Sequence, residues 1–359
     1  MGNDAPVTVS MQRVGFLAVV PRLLRGFAVD PSGVLAGAGL PATALDDPEA
    51  MIPFAAMGML LEAAVRATNC EHFGLLIGQS IGLASLGPIG ELMRHAPTLR
   101  IALRDLATHQ YRHARGAVSY LLERDDHALF GYAIYSPGTR AQFQIYDGAG
   151  AAAFNLVREL IQANVLGDIE VLLSRATPAD PGPYRRYFNT KLHFEQDQTG
   201  VLIPRSWLDR PTTGTDAARR KQLETRVAAY APAGEHGIVS QVRGAIRVGL
   251  VTGEFSGEQI ATRVRVPRRT LQRRLVAHGT GFQEVLDESR FEFASHLLAN
   301  TSLPVGDIGQ IVRYADPSVF TRAFTRWAGM PPNEWRLSRG KRLAESLPLA
   351  RGRRLTALP

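Results

Sequence analysis

At 359 residues, 45% hydrophobic and 21% charged, the chain has the make-up of an ordinary globular protein with room for two or three domains. A single cysteine excludes an intramolecular disulfide and any cysteine-rich zinc or iron–sulfur centre, and it fits a reducing, cytoplasmic setting. The net charge of +8 is unevenly held: residues 237–359 carry 19 Arg or Lys against 10 Asp or Glu, and the preceding residues sum to −1. A basic half joined to a neutral half is the footprint of a nucleic-acid reader attached to something else.

In chain order, residues 1–10 read as a disordered start. The apolar run 14–20 is broken by Pro21 and followed by Arg22 and Arg25, with no small-residue cleavage site after it. It falls well short of the ~20 residues of a membrane span. It therefore reads as part of an amphipathic helix over 11–27, not a signal peptide, and no membrane is expected as a partner. Asp30-Pro31-Ser32-Gly33 reads as a break. Phe54, Met57, Leu60, Leu61 and Ala64 predict a helix over 53–68. A small-residue segment runs from 73–78 through 86–90, and Thr98 caps a helix carrying Leu99, Ala102, Leu103 and Leu106.

After Gly116 the period shifts to two. Segments 118–123 and 128–135 predict an antiparallel pair around Asp125-Asp126, 151–163 a helix and 169–173 a strand. Segment 191–203 reads as a hairpin turning near Thr199-Gly200. Helices first, then strands with a helix packed on them, predict an α+β domain over 11–230. A linker follows at 231–236, an all-α domain at 237–336, and a basic, mobile tail at 337–359.

The all-α domain carries two units of one plan, helix, tight turn, helix. Ile238, Val242, Ile246 and Leu250 form its opening helix. In the first unit, Ser256 and Gln259 make a capping box, and a break at Arg265-Val266-Pro267 precedes a second helix. There Leu271 and Leu275 share the core face, while Arg269, Gln272 and Arg273 share another at i, i+3, i+4. Arg and Gln present the forked groups that read guanine and adenine edges in the major groove, and Arg268 joins them at the helix start. In the second unit, Pro304 starts a helix and Asp316-Pro317 opens another. Phe320, Ala323, Phe324 and Trp327 form its core stripe, with Ser318, Val319, Thr321 and Arg322 off that stripe. Between the units, Phe282 to Leu298 keep a helical period, a rigid spacer that sets two recognition helices about one DNA turn (~34 Å) apart.

Little else in the chain suggests chemistry. His109 and His113 have the i, i+4 spacing of metal ligands, yet no Glu follows the first and no third ligand is near, so a solvated face and no metal are expected. Cys70, beside Glu71 and His72, reads as a small buried residue and not an activated thiol. No P-loop, G-x-S-x-G or dinucleotide fingerprint occurs, so no catalytic residue and no cofactor are expected.

The segments R-T-L-Q-R-R-L (269–275), G-T-G-F-Q-E-V-L-D (279–287) and D-P-S-V-F-T-R-A-F-T-R-W (316–327), closed by Gly329, Pro332 and Arg336, resemble the DNA-binding domain of AraC/XylS-family transcription regulators. F-G-L-L-I-G (73–78), L-G-P-I-G (86–90) and A-P-T-L-R-I-A-L (96–103) resemble the effector domain of the branch with ornithine- and arginine-utilisation regulators. The resemblance implies a double-stranded DNA operator, a small-molecule effector of unknown identity with basic amino acids as candidates, RNA polymerase, and a second copy of the chain as partners. It implies base reading by Arg269, Gln272 and Arg273 in the first unit and by Ser318, Val319 and Arg322 in the second. The chain departs from the family at Pro267 and Pro304, where a capping Ser is usual, and at Arg313-Tyr314, where the turn usually reads Gly-Phe. The alternative is a DNA-acting enzyme of the alkylation-repair type borrowing these units for targeting, which needs a nucleophilic cysteine in a metal cluster. One cysteine cannot supply it.

Overall fold

The computed structural model describes residues 10–110, 114, 116–134, 136, 139–161, 166–229, 237–252, 255–300 and 303–344. The expected disordered start (except Ser10), the linker 231–236, His113 and tail residues 345–359 lie outside the described residues.

The N-terminal domain starts with a strand, not the helix expected from residue 11. β1 (Met11–Arg13) is followed by a 3-10 turn at Val14–Phe16 and by α1 (Val20–Gly26). Gly15 and Pro21 divide the apolar run, and Pro21 sits in the first turn of α1, where its missing N–H is no loss. The supposed break at 30–33 is itself a helix start. Asp30 caps α2 (Pro31–Gly37) by accepting from the Ser32 amide at 3.2 Å, and Pro31 opens its first turn. β2 (Met51–Pro53) pairs antiparallel with β1 and leads into α3 (Phe54–Thr68), close to the predicted helix.

The small-residue segment folds into α4 (Phe73–Gln79) and α5 (Pro88–Arg94). Then come α6 (Leu99–His109), capped by Thr98 as expected, and the hairpin β3 (Ala117–Glu123) and β4 (His127–Ile134). The helix after them, α7 (Gln142–Ile161), begins earlier than its periodicity predicts. Its approach to α4 explains the glycines: a Cβ on Gly74 would lie 2.0 Å from the Gln144 carbonyl oxygen, and one on Gly78 would lie 2.4 Å from that of Gly148. Gln144 clamps the crossing, accepting from the Gly74 amide at 2.7 Å and donating to the Glu71 carbonyl at 2.7 Å. Gly74→Val is therefore expected to cost at least ~1–3 kcal/mol by forcing the backbones apart. A thermal melt checks this against Gly33→Ala, which meets open space in α2 and should leave the midpoint unchanged or slightly raised.

β5 (Glu170–Leu172), α8 (Gly182–Phe188), β6 (Lys191–His193), β7 (Thr199–Pro204) and α9 (Ala217–Ala229) complete the domain. The sheet order is β3-β4-β7-β5-β6, with β5 and β6 parallel and the other pairs antiparallel. The hairpin expected over 191–203 does not form, because β5 lies between β6 and β7. Thr199 and Gly200 sit inside β7 opposite Tyr132 and Gly131, not at a turn. Gly200 is required by strand approach: a Cβ there would meet the Phe130 carbonyl oxygen at 2.5 Å.

The C-terminal domain is all-helical: α10 (Ile238–Thr252), α11 (Gly257–Arg263), α12 (Arg268–Ala277), α13 (Phe282–Asn300), α14 (Val305–Ile311), α15 (Pro317–Ala328) and α16 (Pro332–Ala344). The last helix passes residue 336, so 337–344 are helical where a mobile tail is expected. Two apolar cores straddle α13. One joins α10, α11, α12 and Val285 and Leu286 of α13. The other joins Ala294, Leu297, Leu298, α14 and α15 to Val118, Tyr120 and Leu122 of β3 and to Leu129 and Ala133 of β4. The strand alternation explains the layering: one sheet face carries those residues onto the C-terminal domain, and the other carries Ala128 and Phe130 onto the N-terminal helices. No helix among the described residues is long and apolar enough to cross a membrane.

Candidate nucleic-acid interface

In the first unit, the Ser256 hydroxyl accepts from the Gln259 amide at 3.3 Å and the Gln259 side chain accepts from the Ser256 amide at 3.0 Å, so the capping box is formed. Ile260 and Ala261 are buried, and Arg265 makes the turn at φ +56°. Pro267 is the N-cap of α12 and offers no side-chain acceptor, as its substitution for a capping serine implies. Leu271 and Leu275 are 1% and 0% exposed, which rotates Arg268, Arg269, Gln272 and Arg273 out into solvent together with Arg274. Four guanidinium groups and one carboxamide on two helical turns make a face suited to a polyanion with readable edges.

In the second unit, Pro304 is the N-cap and α14 starts one residue later. Asp316 caps α15 by accepting from the Ser318 amide at 2.7 Å, and that bond holds its carboxyl below the usual carboxylate range. Phe320 and Phe324 are fully buried, while Ser318, Val319 and Arg322 are exposed. Thr321 differs from its neighbours. It is half-buried, and its hydroxyl donates to the Pro317 carbonyl at 2.9 Å, within its own helix.

The two departures at the second turn acquire a reason. Arg313 takes φ +65°, a conformation that costs a non-glycine residue on the order of 1–2 kcal/mol. Its Nε donates to the Leu250 carbonyl at the end of α10, which ties the second turn to the helix that opens the domain. Burial pulls the Arg313 pKa down, with Arg104 pushing the same way. Beside it, Arg290 of α13 lies between the rings of Phe255, at 4.9 Å, and Tyr314, at 4.6 Å, so a phenol in place of the usual Phe keeps the stacking partner. Sequence reasoning missed Arg290, because one arginine in an amphipathic helix carries no signal of what stacks on it. Arg290→Ala is expected to cost roughly 1–3 kcal/mol from two cation–π contacts and the packing of the stem. Denaturant unfolding of the full chain checks it.

The N-terminal domain grips the second unit directly and the first through α10. α6 packs along α10, and β3 packs on α14. At the second contact, Arg124 pairs with Asp307 and donates to the Gln310 carboxamide at 2.9 Å. Gln198 donates to the same Asp307 at 3.2 Å while accepting from the Tyr120 hydroxyl at 3.2 Å. On the far side of β3 lies a cavity of about 120 Å³, walled by Ser119 of β3, Phe130 of β4, Leu106 and Gln110 at α6 and its end, and Ile77 of α4. Two of the elements that line the cavity, α6 and β3, thus also touch the DNA-binding domain.

Cys70 is 5% exposed, and burial raises its thiol pKa, so it is poorly placed to act as a thiolate. No metal-binding group of His, Cys, Asp and Glu occurs among the described residues. A buried charged network that the sequence does not announce joins Asp147 of α7, fully buried, to Arg175 at 2.6 Å and to the Tyr184 hydroxyl at 2.6 Å. Burial pushes the Asp147 carboxyl up, opposed by Arg175.

Comparison with known proteins fits this layout. Residues 29–212 match the family model described as the arabinose-binding domain of AraC transcription regulator, N-terminal, and residues 260–338 match a helix-turn-helix domain model. The HTH-type transcriptional regulator VirS of Mycobacterium tuberculosis is 28% identical over 325 residues, covering 88% of this chain and 93% of that one. The Ornithine utilization regulator of Pseudomonas aeruginosa is 26% identical over 334 residues, covering 92% and 97%. Among solved structures, the transcriptional regulator CdpR of Pseudomonas aeruginosa aligns over 86% of this chain and 96% of its own at 23% identity and a TM-score of 0.41. With the first of the two models spanning just over half of the sequence and the second covering both helix-turn-helix units, the chain belongs to the AraC family of transcription regulators and is not an enzyme.

Proposed function

We propose that this regulator reads a DNA operator with α12 and α15 and that a small molecule bound in the N-terminal domain sets how well it does so. Arg269, Gln272 and Arg273 are the base readers of the first unit, and Arg268 is a phosphate contact at the start of the same helix. In the second unit, Arg322 and Ser318 supply polar contacts and Val319 an apolar one, whereas Thr321 contributes through its methyl edge because its hydroxyl is engaged. Two copies of the chain bind paired half-sites, which joins two short readings by effective concentration. The complex acts in the cytoplasm on RNA polymerase.

One observation carries the regulatory part. α6 and β3 each line the cavity; β3 braces the second helix-turn-helix unit directly and α6 braces the first through α10, so both units are held at one relative angle by elements that an occupant of the cavity would touch. The recognition faces stay open in this arrangement, so the N-terminal domain acts by fixing the angle and not by covering the DNA-reading side chains. Arg124→Ala, which cuts the pairing with Asp307 and Gln310, tests this. Operator affinity of the full-length variant should change by about 5-fold or more, the low end of typical coupling between sites, while affinity for random DNA stays the same. An unchanged operator affinity would mean that the grip of the sheet on α14 does not govern DNA binding.

A further inference from the structure

The chemistry of the cavity limits what can occupy it, and this inference rests on the reading above that the N-terminal domain binds an effector. Among the described residues lining the cavity, none carries an ionised side chain, and the Tyr132 phenol is the one titratable group. A free amino acid buries an ammonium and a carboxylate, and burying either without a partner is strongly unfavourable. The walls are mostly aliphatic and aromatic, from Met57, Leu61 and Ile77 to Phe130 and Leu156. A volume of about 120 Å³ is close to the ~150 Å³ of an apolar cavity that takes up benzene.

One polar feature stands out on that wall. Gln110, at the end of α6, is 8% exposed; its Oε1 is buried with no hydrogen-bond partner among the described residues and almost no surface open to the cavity, so a rotation of the carboxamide must present it to an occupant. Gln144, which also lines the cavity, has both its carboxamide atoms engaged by backbone. A buried acceptor left without a donor is unfavourable, so an occupant that brings a donor gains more than its apolar contacts alone provide.

We infer that the cavity binds a small, uncharged, mainly apolar molecule bearing a single hydrogen-bond donor, a phenol-like compound, with its donor on Gln110 Oε1, and that it does not bind basic amino acids. Such an occupant would sit against the end of α6 and against Ser119 of β3, at the roots of both contacts with the DNA-binding domain.

The test is thermal shift and calorimetric titration of the full-length protein with phenol, anisole, toluene, L-ornithine and L-arginine. A ligand that binds the folded state raises the midpoint with concentration. Phenol should raise it most and bind about 5-fold tighter than anisole or toluene, which lack the donor. The two amino acids should leave it unchanged. Gln110→Leu should bring phenol down to the level of toluene, and Ala152→Leu, which fills the cavity from α7, should weaken all three aromatic ligands together. Stabilisation by ornithine or arginine without phenol, or anisole binding as tightly as phenol to the wild-type chain, would overturn the inference, whatever the variants do. The two readings fail separately. Phenol binding that leaves operator affinity untouched refutes effector control through this cavity and keeps the assignment of its ligand class. An operator response to ornithine without phenol binding refutes the ligand class and keeps effector control.

Discussion

Gln272→Ala and Arg273→Ala, made singly in the full-length protein, are each expected to weaken operator binding by roughly 1–3 kcal/mol, about 5- to 150-fold. The reason is geometric. Leu271 and Leu275 are locked into the first core, which leaves residues 272 and 273 no freedom to turn inward, and both side chains are exposed. A bidentate contact to a base edge is lost when either is cut back to Cβ, and discrimination at that base pair should relax with it. Arg274, on the same helix and exposed, should behave differently if it meets phosphate: its loss would weaken operator and random DNA alike and reduce the salt dependence by about one charge. Equal losses on both DNAs for Gln272→Ala or Arg273→Ala would make them phosphate contacts. In the second unit, Arg322→Ala should cost less, because the guanidinium already lies 3.5 Å from the Ser318 hydroxyl and must leave it to reach a base.

The largest effect on stability is expected from Arg175→Met. It leaves Asp147 fully buried with the Tyr184 hydroxyl as its remaining partner on that oxygen, and an uncompensated buried charge costs about 3–5 kcal/mol. The sign of the pH dependence follows from the direction of the shift. Burial already raises the Asp147 pKa above its unfolded value, and loss of Arg175 raises it further. Protonated Asp147 is the form the variant tolerates, so the deficit against wild type should be largest near neutral pH and narrow as pH falls toward the unfolded carboxylate range. Arg175→Met combined with Asp147→Leu should recover much of the loss, because a matched apolar pair avoids the desolvation. Denaturant midpoints of the three proteins across pH measure this, and a deficit independent of pH would contradict it.

Helices with their own caps and stripes were legible in the sequence. The capping box at Ser256 and Gln259, the Leu271–Leu275 pair and the Phe320–Phe324 stripe stand where periodicity predicts, because those signals are local and the core they face is the one their own unit builds. What depends on a distant partner was not. Met11 to Arg13 become a strand because Met51 to Pro53 lie alongside. Thr199 and Gly200 look like a turn, yet the glycine serves the close approach of β4. Gly74 and Gly78 read only as small residues until the α7 backbone appears above them. At the site, the exposed arginines could be read from the spacing, whereas the Arg290 stack, the Arg313 bond to Leu250 and the Arg124–Asp307 pair could not. Each joins residues more than twenty positions apart through a single side chain, which leaves no period to detect.

The most direct test of the central claim, that two bracketed helix-turn-helix units read DNA under the control of the N-terminal domain, is an anisotropy titration of the full-length protein. The duplexes are an operator selected from random sequences, one half-site of it, and a scrambled control, measured at about 50 and 200 mM salt. Affinity for every duplex should fall steeply with salt, the operator should stay at least ~10³-fold tighter than the scrambled control, and two half-sites should bind more tightly than one. A flat salt response with equal affinity for all three duplexes would contradict it.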